Sequence, residues 1–486
     1  MELTFIGMIQ AAIGLILFMV GTVEAMFAFM MVSALFGGSA AIILSGLGGS
    51  SIPPAQFALV FMAMRVLVPG GGQFVALRDA IRDNAWLIAF ATYGIVIAMI
   101  GPRLFAGQID VTPLRGLTET RYTSQNAYIY AARPLAFSSQ NITTSIYLAG
   151  TLLTALVAHV VCSREKGRAT LVRMAAVIGL AHGVLGFISV TLVDTPVGEL
   201  LGLLRNGNYA QLDHSYRGFI RMTGIWPEAS SFAAFAFVWF VFVFECWLRR
   251  IDTRWTGPAA VVLAMALVFS TSSTAYVALA LYAAILLLRT LLLPGSMTVD
   301  RLAWIAGGLL LMVIAATGLM IWKPMFATQF AELVQHMTID KQGSLSAQQR
   351  SFWAWQGLHG FVVSHGIGIG AGSFRSSSLL SAILGSMGVI GLVSFLGHVL
   401  HAFKPLRRST HAALSSLDLA AATGGAAGWA MFLGLLIASL GSPSCDPGTD
   451  FAIMSGAALA LRPRFAGLAG ASRWARSATA PAPQPA

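Results

Sequence analysis

Apolar positions in this chain run in blocks too long for strands and too unbroken for the half-exposed helices of a soluble core. The stretches 174–192, 232–247, 259–269, 275–288, 302–321 and 383–400 are almost free of charge. A helix needs about 20 apolar residues to cross a hydrocarbon layer, and these stretches supply all or part of that length. Strict polar–apolar alternation is absent, which argues against a membrane β-barrel. The first block, 3–20, has no basic lead-in and continues directly into 23–44, so it reads as a retained helix rather than a cleaved leader. The stretch 1–68 holds two or three helices, broken at Gly37-Gly38, Gly48-Gly49 and Pro53-Pro54. The pattern predicts an all-α polytopic bundle over 1–465, with about 12–13 transmembrane helices of bilayer-crossing length. No period indicates an internal repeat. The Ala/Pro/Ser-rich segment 466–486 reads as a disordered cytoplasmic tail.

Composition strengthens the membrane reading. Hydrophobic residues make up 57% of the chain and charged residues 10%, against about 25% charged in soluble domains. The formal charge of +11 raises the question of a nucleic-acid partner, but its distribution answers no. The basic residues gather between apolar blocks: Arg78 and Arg82; Arg164, Lys166 and Arg168; Arg249, Arg250 and Arg254; Arg289 and Arg301; Lys404, Arg407 and Arg408; Arg462 and Arg464. Short cytoplasmic loops attract Lys and Arg in this way. With those clusters inside, the outward segments become 102–140, 194–225, 321–377 and 442–448, and the long one at 321–377 is expected to be partly helical. Three cysteines placed at opposite ends of helices offer no disulfide framework and no metal site, and the nine histidines show no ligand spacing. No cofactor is implied.

Three outward segments carry candidate chemistry. In the first, Arg217 and Arg221 lie four apart and precede Pro227-Glu228. If the segment is helical, their two guanidinium forks share one face and can grip a pyrophosphate. Glu228 enters an otherwise apolar helix, where a carboxylate is costly unless used or paired; it also reads as a helix cap favoured by the positive end of the helix dipole. The second holds Arg350 among Phe352, Trp353 and Trp355, a composition suited to an interfacial amphipathic segment. His365 and the run Gly366-Ile367-Gly368-Ile369-Gly370-Ala371-Gly372 follow, then Arg375. The glycine run lacks the preceding strand and following Lys of a nucleotide-binding loop, but such a turn allows close backbone approach to a ligand. His365 can act as a general base near neutral pH or can simply hydrogen-bond within the loop. The third segment, Ser270 to Thr274, reads as a tight turn with capping hydroxyls. His159, His182, His398 and His401 read as structural.

These segments, in this order, resemble the O-antigen polymerase and ligase superfamily, the Wzy-like and WaaL-like membrane glycosyltransferases. The resemblance rests on the Arg221-to-Glu228 stretch, the Ser/Thr turn, and Gly366 to Ser378 followed by Leu384-Gly385-Ser386-Met387-Gly388-Val389-Ile390-Gly391-Leu392. It covers about 200–395, the remainder being similar in hydropathy only. Ligases of this superfamily typically carry a His upstream of the Gly388-x-x-Gly391 pair, where this chain has Ser377 and Ser378, so the resemblance is more polymerase-like. It implies a bacterial inner-membrane enzyme with its site facing the periplasm. Donor and acceptor would be undecaprenyl-pyrophosphate-linked oligosaccharides, and the other partners membrane lipid and a chain-length regulator or export complex. Arg217 or Arg221, with Arg350, would hold the pyrophosphate, and Arg375 would add a further cation. Glu228 or His365 would take the proton of the acceptor hydroxyl. The rival expectations are a ligase acting on a lipid A-core or other acceptor, and a transporter of lipid-linked oligosaccharide.

Overall fold

The computed structural model describes residues 1–47, 49–68, 73–114, 132–207, 215–216, 219–293, 296–322, 345–404 and 419–462. Arg217 and the tail 466–486 lie outside the described residues. Helices dominate: α1 (Phe5–Val20), α2 (Val23–Ser33), α3 (Pro54–Leu67), α4 (Phe74–Asp83), α5 (Ala85–Leu104), α6 (Ser139–Cys162), α7 (Glu165–Thr191) and α8 (Pro196–Leu203) make the first half. The second half contains α9 (Ala229–Leu248), α10 (Thr253–Phe269), α11 (Ser273–Leu292), α12 (Val299–Trp322), α13 (Leu345–Val363), α14 (Leu379–Phe403), α15 (Leu419–Ala438) and α16 (Gly448–Ala460). Eight of them, α5, α6, α7, α9, α11, α12, α14 and α15, are long and apolar enough to cross a membrane, and α1, α2, α3 and α10 are shorter apolar helices.

Local chemistry sets the ends. The Thr4 hydroxyl accepts from the Gly7 N–H at 3.1 Å and starts α1; Thr22 does the same for Ala25 at the head of α2. Ser138 and Asn141 form a capping box on α6, with the Ser138 N–H donating to Asn141 Oδ1 at 2.9 Å. These bonds satisfy amides that the first helical turn leaves open. A small antiparallel sheet, β1 (Glu2–Leu3), β2 (Ile42–Leu44) and β3 (Ser50–Ile52), pairs Leu3 with Ile42 and Ile43 with Ser51. It sits where α6 begins, Thr143 Oγ1 donating to Ser50 Oγ at 2.9 Å.

Successive helices run up and down, so the bundle has two ends. One carries the small sheet and the starts of α6, α9, α11 and α14. The other collects Arg78, Arg82, Arg164, Lys166, Arg168, Arg249, Arg250, Arg301, Lys404 and Arg462, and is the basic end. Arg250 pairs with Asp300 at 2.9 Å there, and the Arg65 guanidinium donates to Gly21 O at 2.8 Å. The core is aromatic along α9, where Phe232, Phe237, Trp239 and Phe242 are fully buried. Near its basic end Glu245, also fully buried, is held by Arg249, by Arg289 at 2.8 Å and by the Tyr282 hydroxyl at 2.8 Å. The outer surface is apolar: Leu309, Leu310, Leu311, Met312, Val313 and Ile314 of α12 are all more than half exposed. A continuous apolar flank of that kind is stable against lipid, not water.

Two connections between helices do not stay at the bundle's surface. The first comprises α13 and the segment that follows it. α13 descends beside α14: the Ser381 hydroxyl donates to Ala354 O, and the Ser377 hydroxyl, higher up, to Arg350 O. The chain turns at 364–368 and climbs back, with Ile369 N–H donating to Gly385 O at 2.9 Å and Gly370 N–H to Ser386 O at 3.0 Å. The turn lies midway along its neighbours, since the Tyr93 hydroxyl of α5 donates to Ile367 O at 2.8 Å and Val389 N–H of α14 to Gly366 O at 2.9 Å. α14 is itself broken there, at Gly388 (φ 60°). This is a re-entrant hairpin, not the interfacial segment its Trp and Phe residues predict. The second is 442–448, expected as an outer loop. It drops into the bundle until Asp446 accepts from the Thr151 hydroxyl at 2.7 Å, midway along α6.

Candidate functional site

The sheet-bearing end brings three separate stretches together. Arg221 lies in the irregular segment 221–228 that leads into α9, and its guanidinium donates to Thr271 O at 3.3 Å. Thr271 has a left-handed backbone (φ 50°), an uncommon conformation for a β-branched residue. That turn connects α10 to α11, so the Ser/Thr segment singled out in the sequence presents a carbonyl to Arg221. Arg221 is largely enclosed, and its Nε has no hydrogen-bond partner. Burial weakens its hold on its proton; the carboxylate of Glu228 opposes that effect, and the neighbouring charge of Arg350 adds to it. Arg221 thus feels a second cation and one carboxylate in a partly desolvated place.

Glu228 occupies the N-cap position of α9, but its side chain does not cap the backbone. It accepts instead from the hydroxyls of Ser230 and, at 3.4 Å, Ser231. The carboxylate is thus oriented by its own first turn and stays within electrostatic reach of Arg221 without a direct ion pair among the described residues. Beside it, Arg205 donates to Pro227 O at 3.4 Å, and burial lowers its pKa as well. Arg205 adds a third cation to this end.

Arg350 and Arg375 belong to the two arms of the hairpin. Arg375 stacks on Trp353, its guanidinium carbon 4.4 Å from the ring centroid, and its backbone N–H donates to Thr112 O at 2.9 Å. Trp353 is one turn below Arg350 on α13, so the returning arm is fastened to the same helix that presents Arg350. An apolar groove of about 490 Å³ begins at Ser351 and runs down between α13 and α14 past Ala354, Leu358, Leu384 and Leu396. It opens on the flank of the bundle, where Leu358 and Leu396 are exposed.

His365 is not part of this arrangement. It is exposed at the tip of the hairpin, with a left-handed backbone (φ 52°). It lies fifteen positions beyond Arg350, about 22 Å at the helical rise per residue. The glycine run is likewise used for packing rather than for a ligand. A Cβ on Gly370 would lie 2.5 Å from Pro102 of α5, so the returning arm is pressed against its neighbours at van der Waals distance. Of the six residues proposed from sequence, Arg221 is electrostatically coupled to Glu228 and Arg350. Arg375 is tied to the Arg350 helix, His365 stands apart, and Arg217 lies outside the described residues. Among the described residues no cluster of His, Cys, Asp and Glu has metal-binding geometry.

Comparison with protein-family models finds no match, and comparison with curated proteins finds none either. The class is defined by the fold itself: eight membrane-length apolar helices and a lipid-compatible flank make this a multi-pass membrane protein.

Proposed function

We propose that the chain is a bacterial inner-membrane glycosyltransferase that polymerises undecaprenyl-pyrophosphate-linked oligosaccharide repeats into an exopolysaccharide, capsule or O-antigen chain on the periplasmic face. The twelve apolar helices, eight long and four shorter, would cross the bilayer, with the basic end in the cytoplasm. The observation that carries the reading is the electrostatic coupling of Arg221 to both Arg350 and Glu228, with an apolar groove that starts at Ser351, next to Arg350. Two like charges held together in a partly dry place are unfavourable unless an anion joins them. A pyrophosphate supplies the anion, and its polyprenyl chain has an apolar path down the groove.

In this scheme the acceptor sugar hydroxyl attacks the anomeric carbon of the donor. A new glycosidic C–O bond forms as the bond to the lipid pyrophosphate breaks, and the pyrophosphate leaves with the electron pair. Its charge grows during the reaction, so Arg221 and Arg350 bind the transition state more strongly than the ground state. Glu228 takes the hydroxyl proton. The test is deletion of the gene followed by analysis of lipid-linked glycans. Accumulation of single repeats supports polymerisation; full-length chains left unattached point to a ligase.

A second reading, a transporter of lipid-linked oligosaccharide, draws support from the re-entrant hairpin and the dipping 442–448 segment. Interrupted segments that meet midway through a bundle are characteristic of secondary transporters. Retention of lipid-linked repeats on the cytoplasmic side in the deletion strain would select it.

A further inference from the structure

The dipping segment places two carboxylates in the interior. Asp446 accepts from Thr151 Oγ1 at 2.7 Å. Asp450, four residues on and in the first turn of α16, has one carboxyl oxygen, Oδ1, fully enclosed. Neither forms an ion pair among the described residues. The indole of Trp239, fully buried, hydrogen-bonds the Asp450 carboxyl. Phe451, next in the chain, contacts the ring of His398 at 5.8 Å. His398 is fully buried, and neither of its ring nitrogens has a partner. One turn on, His401 meets Arg462 at 2.8 Å at the basic end. An ionised carboxylate midway through a membrane bundle without a countercharge is strongly disfavoured. Both Asp446 and Asp450 keep partial accessibility.

We propose that Asp446 and Asp450 form an intramembrane proton-binding site, with His398 as the next station toward the basic end. The groups facing it are few. α6 offers Thr151 and His159, the latter 3.9 Å from Asp83 of α4. α14 offers His398 and His401, and α9 offers Trp239 together with Glu245, which is already neutralised by two arginines. α4 adds Asp79 and Arg82, and α15 offers no titratable side chain. The site also touches the hairpin: Cys445 lies against Ser386 and Gly372, and Ser376 N–H donates to Pro443 O at 2.9 Å. Gain or loss of a proton at Asp446 would therefore be felt by the arm that carries Arg375.

The experiment is carbodiimide labelling of the full-length protein in lipid nanodiscs, read by peptide mass spectrometry across pH 5 to 9. A hydrophobic carbodiimide adds to a protonated, membrane-embedded carboxyl. We expect an adduct on Asp450 or Asp446 at neutral pH that declines about tenfold per pH unit once the group ionises, relative to exposed Glu165. Asp450→Asn and Asp446→Asn should each remove their own adduct. No adduct on either residue at any pH, or labelling that tracks Glu165 throughout, overturns the proposal. The readout on the wild-type protein needs no glycan substrate, so it stands or falls independently of the transferase reading.

Discussion

Arg221, just before α9, and Arg350, on α13, are coupled: the charge of Arg350 disfavours that of Arg221, in addition to the burial that already weakens Arg221's hold on its proton. A protein optimised only for stability would not hold them together.

The first prediction follows from that conflict. Arg350→Gln should leave thermal stability unchanged or slightly raised, because it relieves a like-charge contact, while polymer formation falls about 100-fold, the usual cost of losing one oxyanion-stabilising donor. Arg221→Lys should fall similarly, since Lys lacks the planar fork. The double variant should lose less than the product of the single losses if both residues hold one anion. Full independence of the two effects, measured as initial polymerisation rates with lipid-linked donor, would separate them into different sites.

The hairpin gives the second prediction. Gly385 of α14 lies so close to α13 that a Cβ there would sit 2.5 Å from Gly357 O. That oxygen is backbone and cannot swing aside, so Gly385→Ala must push α13 outward. We expect limited proteolysis to cut the hairpin in the variant under conditions that spare the wild type, with polymer formation lost although Arg350 is intact. Unchanged proteolysis and activity would mean that α14 absorbs the methyl group.

That hairpin also marks the limit of what the sequence discloses. The long blocks are legible because lipid imposes one simple requirement, an unbroken apolar length, and 232–247 or 302–321 satisfy it plainly. α13 does not: Gln349, Arg350, Gln356 and His359 interrupt it, so it reads as interfacial. Its descent is possible because Gly357, Gly360, Gly385 and the glycine run let backbones touch, which is the small-residue packing of membrane helices. That spacing is visible in the sequence, but it looks the same as a ligand loop. Arg221 and Glu228 are legible as a cation and a carboxylate beside a helix start. The coupling of Arg221 to Arg350 depends on tertiary placement that no local pattern encodes. Asp446 and Asp450 were hidden for another reason: Ser-Cys-Asp-Pro-Gly-Thr-Asp has the composition of a surface turn, and only the contact with Thr151 shows that it is inside.

A third prediction concerns the buried cluster at the other end of α9. Glu245 faces both Arg249 and Arg289 with the Tyr282 hydroxyl beside it. Removing the single acid takes the buried carboxylate from two enclosed guanidiniums, a loss of about 3–5 kcal/mol. Glu245→Gln should therefore lower the melting temperature in detergent and reduce expression, whereas the triple replacement Glu245→Gln, Arg249→Met, Arg289→Met should recover much of it. A Glu245→Gln protein as stable as wild type would show that water enters the cluster.

The last prediction decides between the two candidate bases. Glu228 is within electrostatic reach of Arg221, and its orientation is fixed by Ser230 and Ser231. His365 is at the hairpin tip, fifteen positions beyond Arg350, about 22 Å at the helical rise per residue. A general base must come within hydrogen-bonding distance of the proton it removes, directly or through one water. If the pyrophosphate rests on Arg221 and Arg350, only Glu228 meets that condition. Glu228→Gln keeps the size and the ability to accept from Ser230, so folding should survive. We expect polymer formation to drop by about 100-fold or more, in the range attributed to general-base catalysis, with donor retained in a binding assay. His365→Ala should polymerise at close to the wild-type rate. A full loss in His365→Ala with normal Glu228→Gln would move the chemistry down to the hairpin tip and detach it from the arginines. Normal rates in both would leave leaving-group stabilisation by Arg221 and Arg350 as the whole of catalysis, with the proton passing to water.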